Sequence, residues 1–155
     1  MAITTLFGLG FSKFAPGTVG SIFGLITAWL IVSNSSTSYL IVATIFVFFI
    51  GVFLSSIYSK YLNTNDPSRI IIDELVGQWI TLFFLPPDLL YYLIGFLLFR
   101  FFDIFKPWPA NWADSKLHGG LGIMLDDVFA GIYSCIIVSS LFHMIGSLGM
   151  FPSDI

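Results

Sequence analysis

The chain has 155 residues, of which 57% are hydrophobic and only 10% are charged, and its mean hydropathy is +0.94. Soluble domains carry about 25% charged and about 45–50% apolar residues, so this chain has too few charges to cover a surface that faces water. The composition argues against a soluble globule, a disordered chain and a nucleic-acid binder. The length suits one domain, residues 1–155. The lone Cys135 argues against a disulfide and a cysteine-based zinc site.

Five apolar stretches are candidate membrane spans, because a helix needs about 20 apolar residues to cross a bilayer. They are residues 19–32, 39–62, 70–85, 89–105 and 122–145. Residues 33–38 form a serine-rich turn, and Pro86-Pro87 and Pro107 end the third and fourth stretches. Backbone groups in lipid must be paired internally, which predicts an all-α polytopic bundle of about four to five transmembrane helices. The first stretch is short, and whether it crosses fully is left open. The N-terminus lacks the basic flank of a cleavable signal, so Met1 is expected to be retained.

Five crossings place every basic residue on one side of the membrane, which the positive-inside rule makes cytoplasmic. These residues are Lys13, Lys60, Arg69, Arg100, Lys106 and Lys116. Seven of the nine acids, Asp66 among them, fall on the same side, and only Asp88 and Asp154 do not. If the first stretch were re-entrant, inside and outside would exchange, but the later charged segments would still share one membrane face.

Five acids lie at predicted helix ends. Asp73 and Glu74 open the third helix, Asp103 lies near the end of the fourth, and Asp126 and Asp127 open the fifth. Interaction with the helix dipole, about 0.3–1 kcal/mol for each acid, is the simpler explanation of any one of them. Five carboxylates brought together repel each other, so a cation is expected among them. Hard cations such as Mg²⁺ prefer carboxylate oxygens, which makes all five acids candidate metal ligands.

The segment before the first span is a candidate phosphate site. It contains Gly17, Thr18, Gly20 and Ser21, and a loop of this kind entering a helix offers free N–H groups to an anion. Lys13 adds a positive charge. The alternative is that the polar residues only cap the helix and that the glycines only turn the chain.

Further along the chain, Arg100, Asp103 and Lys106 lie three residues apart. They form either a salt-bridge ladder or a site in which Arg100 and Lys106 bind phosphate and Asp103 binds metal. His118 lies in a glycine-rich stretch before Asp126. It is either a general acid or base or an ordinary surface histidine.

Four segments together resemble the phosphatidylglycerophosphatase A family. They are residues 11–21 (FSKFAPGTVGS), 73–80 (DELVGQWI), 99–109 (FRFFDIFKPWP) and 118–133 (HGGLGIMLDDVFAGIY). They follow the order of the family and extend over nearly the whole chain. The set is far more specific than any one of the motifs above.

The resemblance implies a Mg²⁺-dependent phosphatase in the bacterial inner membrane. Such an enzyme hydrolyses phosphatidylglycerophosphate to phosphatidylglycerol and phosphate, the last step of phosphatidylglycerol synthesis, with its site facing the cytoplasm. The family's acidic positions correspond to Asp73, Glu74, Asp103, Asp126 and Asp127, and its basic positions to Lys13, Arg100 and Lys106.

The hypothesis for the mechanism is that the carboxylates hold one or two Mg²⁺ ions. Water attacks phosphorus, and attack by an aspartate is the less favoured alternative. Asp127 or Glu74 is the general base, and Lys13, Arg100 and the amides of residues 17–21 stabilise the phosphoryl charge. The acyl chains stay in the bilayer. The candidate catalytic residues are Asp127, Glu74, Asp73, Arg100, Lys106 and His118.

Two rival functions remain. A small ion- or proton-coupled transporter predicts acids near the bilayer midplane along a path, whereas here they gather at one face. A structural subunit of a larger complex leaves the five acids unexplained. The oligomeric state, the number of metal ions and the acyl-chain preference are left open.

Overall fold

The computed structural model describes residues 1–64 and 67–147. A 3-10 turn at Leu9–Phe11 precedes six helices. These are α1 Pro16–Asn34, α2 Thr37–Leu62, α3 Ile72–Thr81, α4 Leu89–Phe105, α5 Ala110–Lys116 and α6 Gly120–Ser147. The predicted all-α fold is confirmed, since the described part of the chain contains no strand. Asp66 and Asp154, whose sides of the membrane are predicted above, lie outside the described residues.

Local sequence explains several helix ends. Pro16 is the first residue of α1, where its fixed φ suits a helix and its missing N–H is not needed. The Asp88 carboxylate caps α4 by accepting hydrogen bonds of 2.9 and 3.2 Å from the N–H groups two and three residues on. Lys106 takes a left-handed conformation with φ 43° and ends α4 just before Pro107.

Three helices, α1, α2 and α6, are long and apolar enough to cross a membrane. Many of their apolar side chains face outward. Phe46 and Phe49 of α2 are each 67% exposed, as expected for contact with lipid. The fourth helix has the predicted bounds. Its 17 residues extend about 25 Å, slightly less than the about 30 Å hydrocarbon core.

The third predicted span, residues 70–85, is wrong in length. Helix α3 has only 10 residues, which extend about 15 Å and cannot cross a bilayer. Eight of the ten residues are buried, because α3 packs against α1, α2, α4 and α6. Its apolar sequence therefore reflects burial within protein, which composition does not distinguish from burial in lipid.

Glycines allow the backbone of α3 to pack directly against the backbones of neighbouring helices. A Cβ atom added to Gly131 of α6 would lie 2.5 Å from the carbonyl oxygen of Gly77 in α3, and one added to Gly77 would lie 2.7 Å from the carbonyl oxygen of Asp127. On another side of α3, Gly20 and Gly24 of α1 make similar contacts. Small residues of this kind are typical of tightly packed membrane helices.

Helix α6 begins earlier than predicted, so Asp126 and Asp127 do not open it. The N–H of Gly120 donates a 2.9 Å hydrogen bond to the Ser56 hydroxyl of α2, and a Cβ atom on Gly120 would clash with the Val52 carbonyl. This contact sets the start of α6 at Gly120, before the predicted start at residue 122. The two acids lie almost two turns into the helix, where the dipole effect of its terminus has faded.

Gly131→Ala is expected to lower the free energy of unfolding by about 1–3 kcal/mol, because the added methyl group must push α3 and α6 apart. Thermal unfolding in detergent measures the effect. Gly146→Ala is the matched control, since Gly146 lies in the same helix with nothing within 4 Å of an added Cβ. Equal midpoints for the two variants would contradict the close contact.

Candidate active site

The starts of α1 and α3 meet the end of α4 and the second turn of α6 around a cavity of about 340 Å³. The cavity has acidic groups from three helices on its wall and basic groups at the end of α4. The acids are Asp73, Glu74, Asp103, Asp126 and Asp127, and the basic residues are Arg100 and Lys106. Residues that lie far apart in the sequence thus share one cavity.

Three of the carboxylates are close enough to bind one cation. One oxygen from each of Asp73, Glu74 and Asp127 lies within 4.8 Å of the others. Oε2 of Glu74 and Oδ2 of Asp127 are buried and accept no hydrogen bond from the described residues. Buried carboxylate oxygens without a partner are costly unless a cation neutralises them. Because carboxylate oxygens are the preferred ligands of hard cations, these residues fit a metal ion.

The same crowding perturbs the titration of the acids at the start of α3. Burial raises the pKa of Asp73 well above its usual value, and the charge of Glu74 raises it further. Burial also raises the pKa of Glu74, although a hydrogen bond with Asp73 acts in the opposite direction. Both shifts mean that the ionised forms are disfavoured in the absence of a cation.

Lys106 links the cavity to α5. Its Nζ donates a 2.6 Å hydrogen bond to Oδ2 of Asp126 and a 2.8 Å hydrogen bond to Oδ1 of Asp114. Burial lowers the pKa of the ammonium group, but the two carboxylates outweigh burial and the pKa is raised overall. Lys106 therefore remains charged and is held at the cavity by two acids.

Arg100 lies between α1 and the acids. Its guanidinium forms an ion pair with Asp103, and Nη1 donates a 3.4 Å hydrogen bond to the buried Ser21 hydroxyl. A Cβ atom on Gly17 would lie 3.0 Å from Nη1 and would clash with Oε1 of Glu74. Glycine at position 17 thus allows the start of α1 to approach both charged groups.

The other candidates for phosphate binding lie outside the cavity lining. Lys13 is exposed and Thr18 is half-buried, and neither lines the cavity. Gly20 is buried where α1 packs on α3, with an added Cβ 2.9 Å from the Ile71 carbonyl oxygen. Ser21 does not line the cavity, but its hydroxyl accepts a hydrogen bond from Arg100 and donates one to the Gly17 carbonyl, and both of those residues line it.

His118 is also separate from the acidic cluster. It is exposed and lines a different cavity of about 70 Å³, beside Asp114 and Gly119. The structure therefore does not bring His118 to the carboxylates.

The residue that the sequence reasoning missed is Asp114. Lys106 lies eight residues before Asp114 and carries the opposite charge, and the segment between them contains two prolines. This pair of opposite charges was the signal in the sequence that could have indicated the contact. Ser68, Ile70 and Ile104 also line the cavity. No motif marks Ser68 or Ile70, and although Ile104 lies within the segment 99–109, its contact with the cavity depends on how the helices meet.

Comparison with known proteins identifies the family. The family model of phosphatidylglycerophosphatase A matches residues 2–142. The chain belongs to the phosphatidylglycerophosphatase A family. The resemblance seen in the four sequence segments is thereby confirmed, and no solved structure matches the chain.

Curated relatives agree with this assignment. Phosphatidylglycerophosphatase A of Escherichia coli is 38% identical over 138 residues, which cover 88% of this chain and 80% of the relative. The Haemophilus influenzae protein of the same name is 39% identical over 85% of this chain and 82% of its own length. A putative phosphatidylinositol-3-phosphatase of Bacteroides thetaiotaomicron is 36% identical over 93% of this chain and 94% of its own length.

Asp73→Asn is expected to stabilise the metal-free protein, because it removes a buried charge while keeping the oxygen that accepts the Glu74 N–H. The thermal midpoint in chelator should rise by about 2–4 °C, for a gain on the order of 1 kcal/mol. The same variant should lose the stabilisation that a divalent cation gives the wild-type protein. Asp88→Asn is the control, since asparagine caps a helix as well as aspartate does. A cation-induced shift that persists in Asp73→Asn would remove Asp73 from the metal centre.

Proposed function

We propose that this protein is a Mg²⁺-dependent phosphatase of the bacterial inner membrane that converts phosphatidylglycerophosphate to phosphatidylglycerol and inorganic phosphate. The observation that carries the proposal is a single cavity in which carboxylates suited to a cation lie beside basic groups suited to a phosphate. Membership of the phosphatidylglycerophosphatase A family supports the substrate. The products make this the last step of phosphatidylglycerol synthesis.

Asp73, Glu74 and Asp127 would hold the ion, with Asp103 and Asp126 on the same wall of the cavity. Carboxylates and a substrate phosphate are the usual ligands of Mg²⁺, which is why we favour this ion over zinc. When bound, Mg²⁺ neutralises the phosphomonoester and acts as a Lewis acid. The mutual repulsion of the carboxylates would then be balanced.

Arg100 and Lys106 bind the phosphate oxygens in this proposal. Arginine contacts phosphate through two parallel hydrogen bonds and lysine acts as a point charge. The start of α1 adds the free N–H groups of its first turn beside Gly17, which lines the cavity. Asp114 keeps Lys106 in place through its 2.8 Å contact. Lys13, Thr18, Gly20 and Ser21 do not line the cavity, and Ser21 contributes by accepting a hydrogen bond from Arg100.

The proton of the attacking water goes to Glu74 or Asp127 in this mechanism. Each offers a buried carboxylate oxygen that accepts no hydrogen bond from the described residues. A general base must lie within hydrogen-bond reach of the proton it accepts, and both carboxylates line the cavity. We keep both residues as candidates.

The distribution of charged residues supports one orientation of the protein in the membrane. All six basic residues lie in four places: before α1, at the end of α2, between α2 and α3, and from the end of α4 to the start of α6. The positive-inside rule then supports a cytoplasmic active site. Among the described residues of α1, α2 and α6, acids occur only at the cavity, in positions 126 and 127, an arrangement that does not favour a transport path.

Phosphate release from phosphatidylglycerophosphate by the purified protein in detergent tests the proposal. Activity is expected with Mg²⁺ and should be lost in chelator. Asp127→Asn should lower kcat by about 10²–10⁴-fold, because it removes a candidate general base that is also one of the three carboxylates proposed to hold the ion. Asp88→Asn should retain full activity. Undiminished turnover in chelator would contradict the metal mechanism, and full activity of Asp127→Asn would remove Asp127 from the site.

His118→Ala separates the two interpretations of this histidine. General acid–base catalysis is worth about 10²–10⁴-fold in rate. Because His118 lies outside the cavity, we expect a loss of less than about tenfold. A larger loss of kcat, with an unchanged thermal midpoint, would restore the catalytic role.

A further inference from the structure

We propose that the acyl chains of the substrate leave the active-site cavity sideways into the bilayer, through an opening between the start of α1 and the end of α4. Phe14, Ala15 and Ile104 frame this opening, which we call the lipid port. The inference rests on the proposed function, because it assumes that the phosphate bound in the cavity belongs to a lipid.

Two of the three port residues, Ala15 and Ile104, line the cavity and are also exposed. Ile104 lines the cavity and yet is 73% exposed. Ala15 also lines the cavity and is exposed. Phe14, next to it, is 84% exposed. The inner wall of the cavity is charged, whereas these residues at its edge are apolar.

An apolar strip on α4 runs from the port toward the other end of the helix. Leu93, Leu97, Phe101 and Ile104 are spaced three or four residues apart, so they share one face. Each of them is at least 46% exposed. Arg100, which lines the cavity, belongs to the same turns of the helix. The strip therefore begins beside the charged site and continues along the membrane-embedded length of α4.

A second strip begins at the port on α1. Ile22, Ile26 and Leu30 follow at spacings of four residues and are 45–56% exposed. Both strips face outward, and both helices pack against α3. An acyl chain leaving the port would therefore have exposed apolar side chains available on both helices that frame the port.

The size of the cavity implies that the acyl chains of a bound lipid lie outside it. At about 340 Å³ it is at the small end of ligand pockets, which measure about 300–1,000 Å³. It accommodates a phosphorylated headgroup and leaves no room for two long acyl chains. Exposed apolar side chains around a polar cavity are unfavourable in water and favourable in lipid.

Two other apolar grooves do not provide this route. One, of about 710 Å³, lies on the outer face of α2 around Phe46 and Phe53. The other, of about 300 Å³, lies between α2, α3 and α6 around Phe48 and Ile80. Neither groove shares a lining residue with the active-site cavity.

Ile104→Gln tests the port by comparing two substrates: long-chain phosphatidylglycerophosphate in mixed micelles and its deacylated, water-soluble headgroup. The variant should lose about tenfold more kcat/KM on the lipid than on the headgroup, because only the lipid contacts residue 104 with apolar chains. Ile104→Leu should restore the wild-type ratio. Ile57→Gln is the matched control, since Ile57 is 52% exposed on α2 and does not line the cavity. Its ratio should stay within about twofold of wild type.

Photolabelling provides a second measurement that does not require turnover. Phosphatidylglycerophosphate with a diazirine on one acyl chain should label residues 14–30 and 93–104, and unlabelled substrate should compete. Equal losses on the two substrates in Ile104→Gln, the same selective loss in Ile57→Gln, or labelling confined to α2 would overturn the port. Failure of the wild-type protein to release phosphate from the lipid would instead overturn the proposed function, and photolabelling would still decide whether a lipid uses the port.

Discussion

The contact between α3 and α6 is the constraint on which the site depends. Gly77 and Gly131 allow the two backbones to touch, and each glycine lies four residues after an acid of the cluster, Asp73 and Asp127. Residues four apart lie on the same helix face, so the helix contact and the carboxylate contact are parts of one arrangement. A larger side chain at either glycine would move the carboxylates of the cluster as well as the helices.

The charges of the site are balanced only in part by the protein itself. Arg100 pairs with Asp103, and Lys106 pairs with Asp126 and Asp114. Glu74 and Asp127 each keep a buried oxygen without a partner among the described residues. A site of this kind is costly to assemble without a cation and is ready to bind one. The stability that the acids cost is recovered when an ion binds the folded state.

Much of the site was predictable because its residues belong to recognisable segments. The fourth helix has the predicted bounds, and the five acids and two basic residues selected from the sequence line one cavity. Lys13, Thr18 and His118 are outside that cavity, and Asp114 was missed. Sequence spacing places residues along one helix, whereas membership of a cavity formed by four helix ends depends on distances between helices, which spacing does not contain.

The sequence by itself determined the all-α membrane class, through apolar runs that must pair their backbone groups internally, and the family, through four ordered segments. Only the tertiary structure decided that α3 is a short helix buried in protein, since burial in lipid and in protein select the same apolar residues. It also decided that Asp126 and Asp127 lie inside α6, because Gly120 packs against α2 and begins the helix early. Which charges meet was likewise a tertiary outcome, because it depends on how closely glycine-lined helices approach.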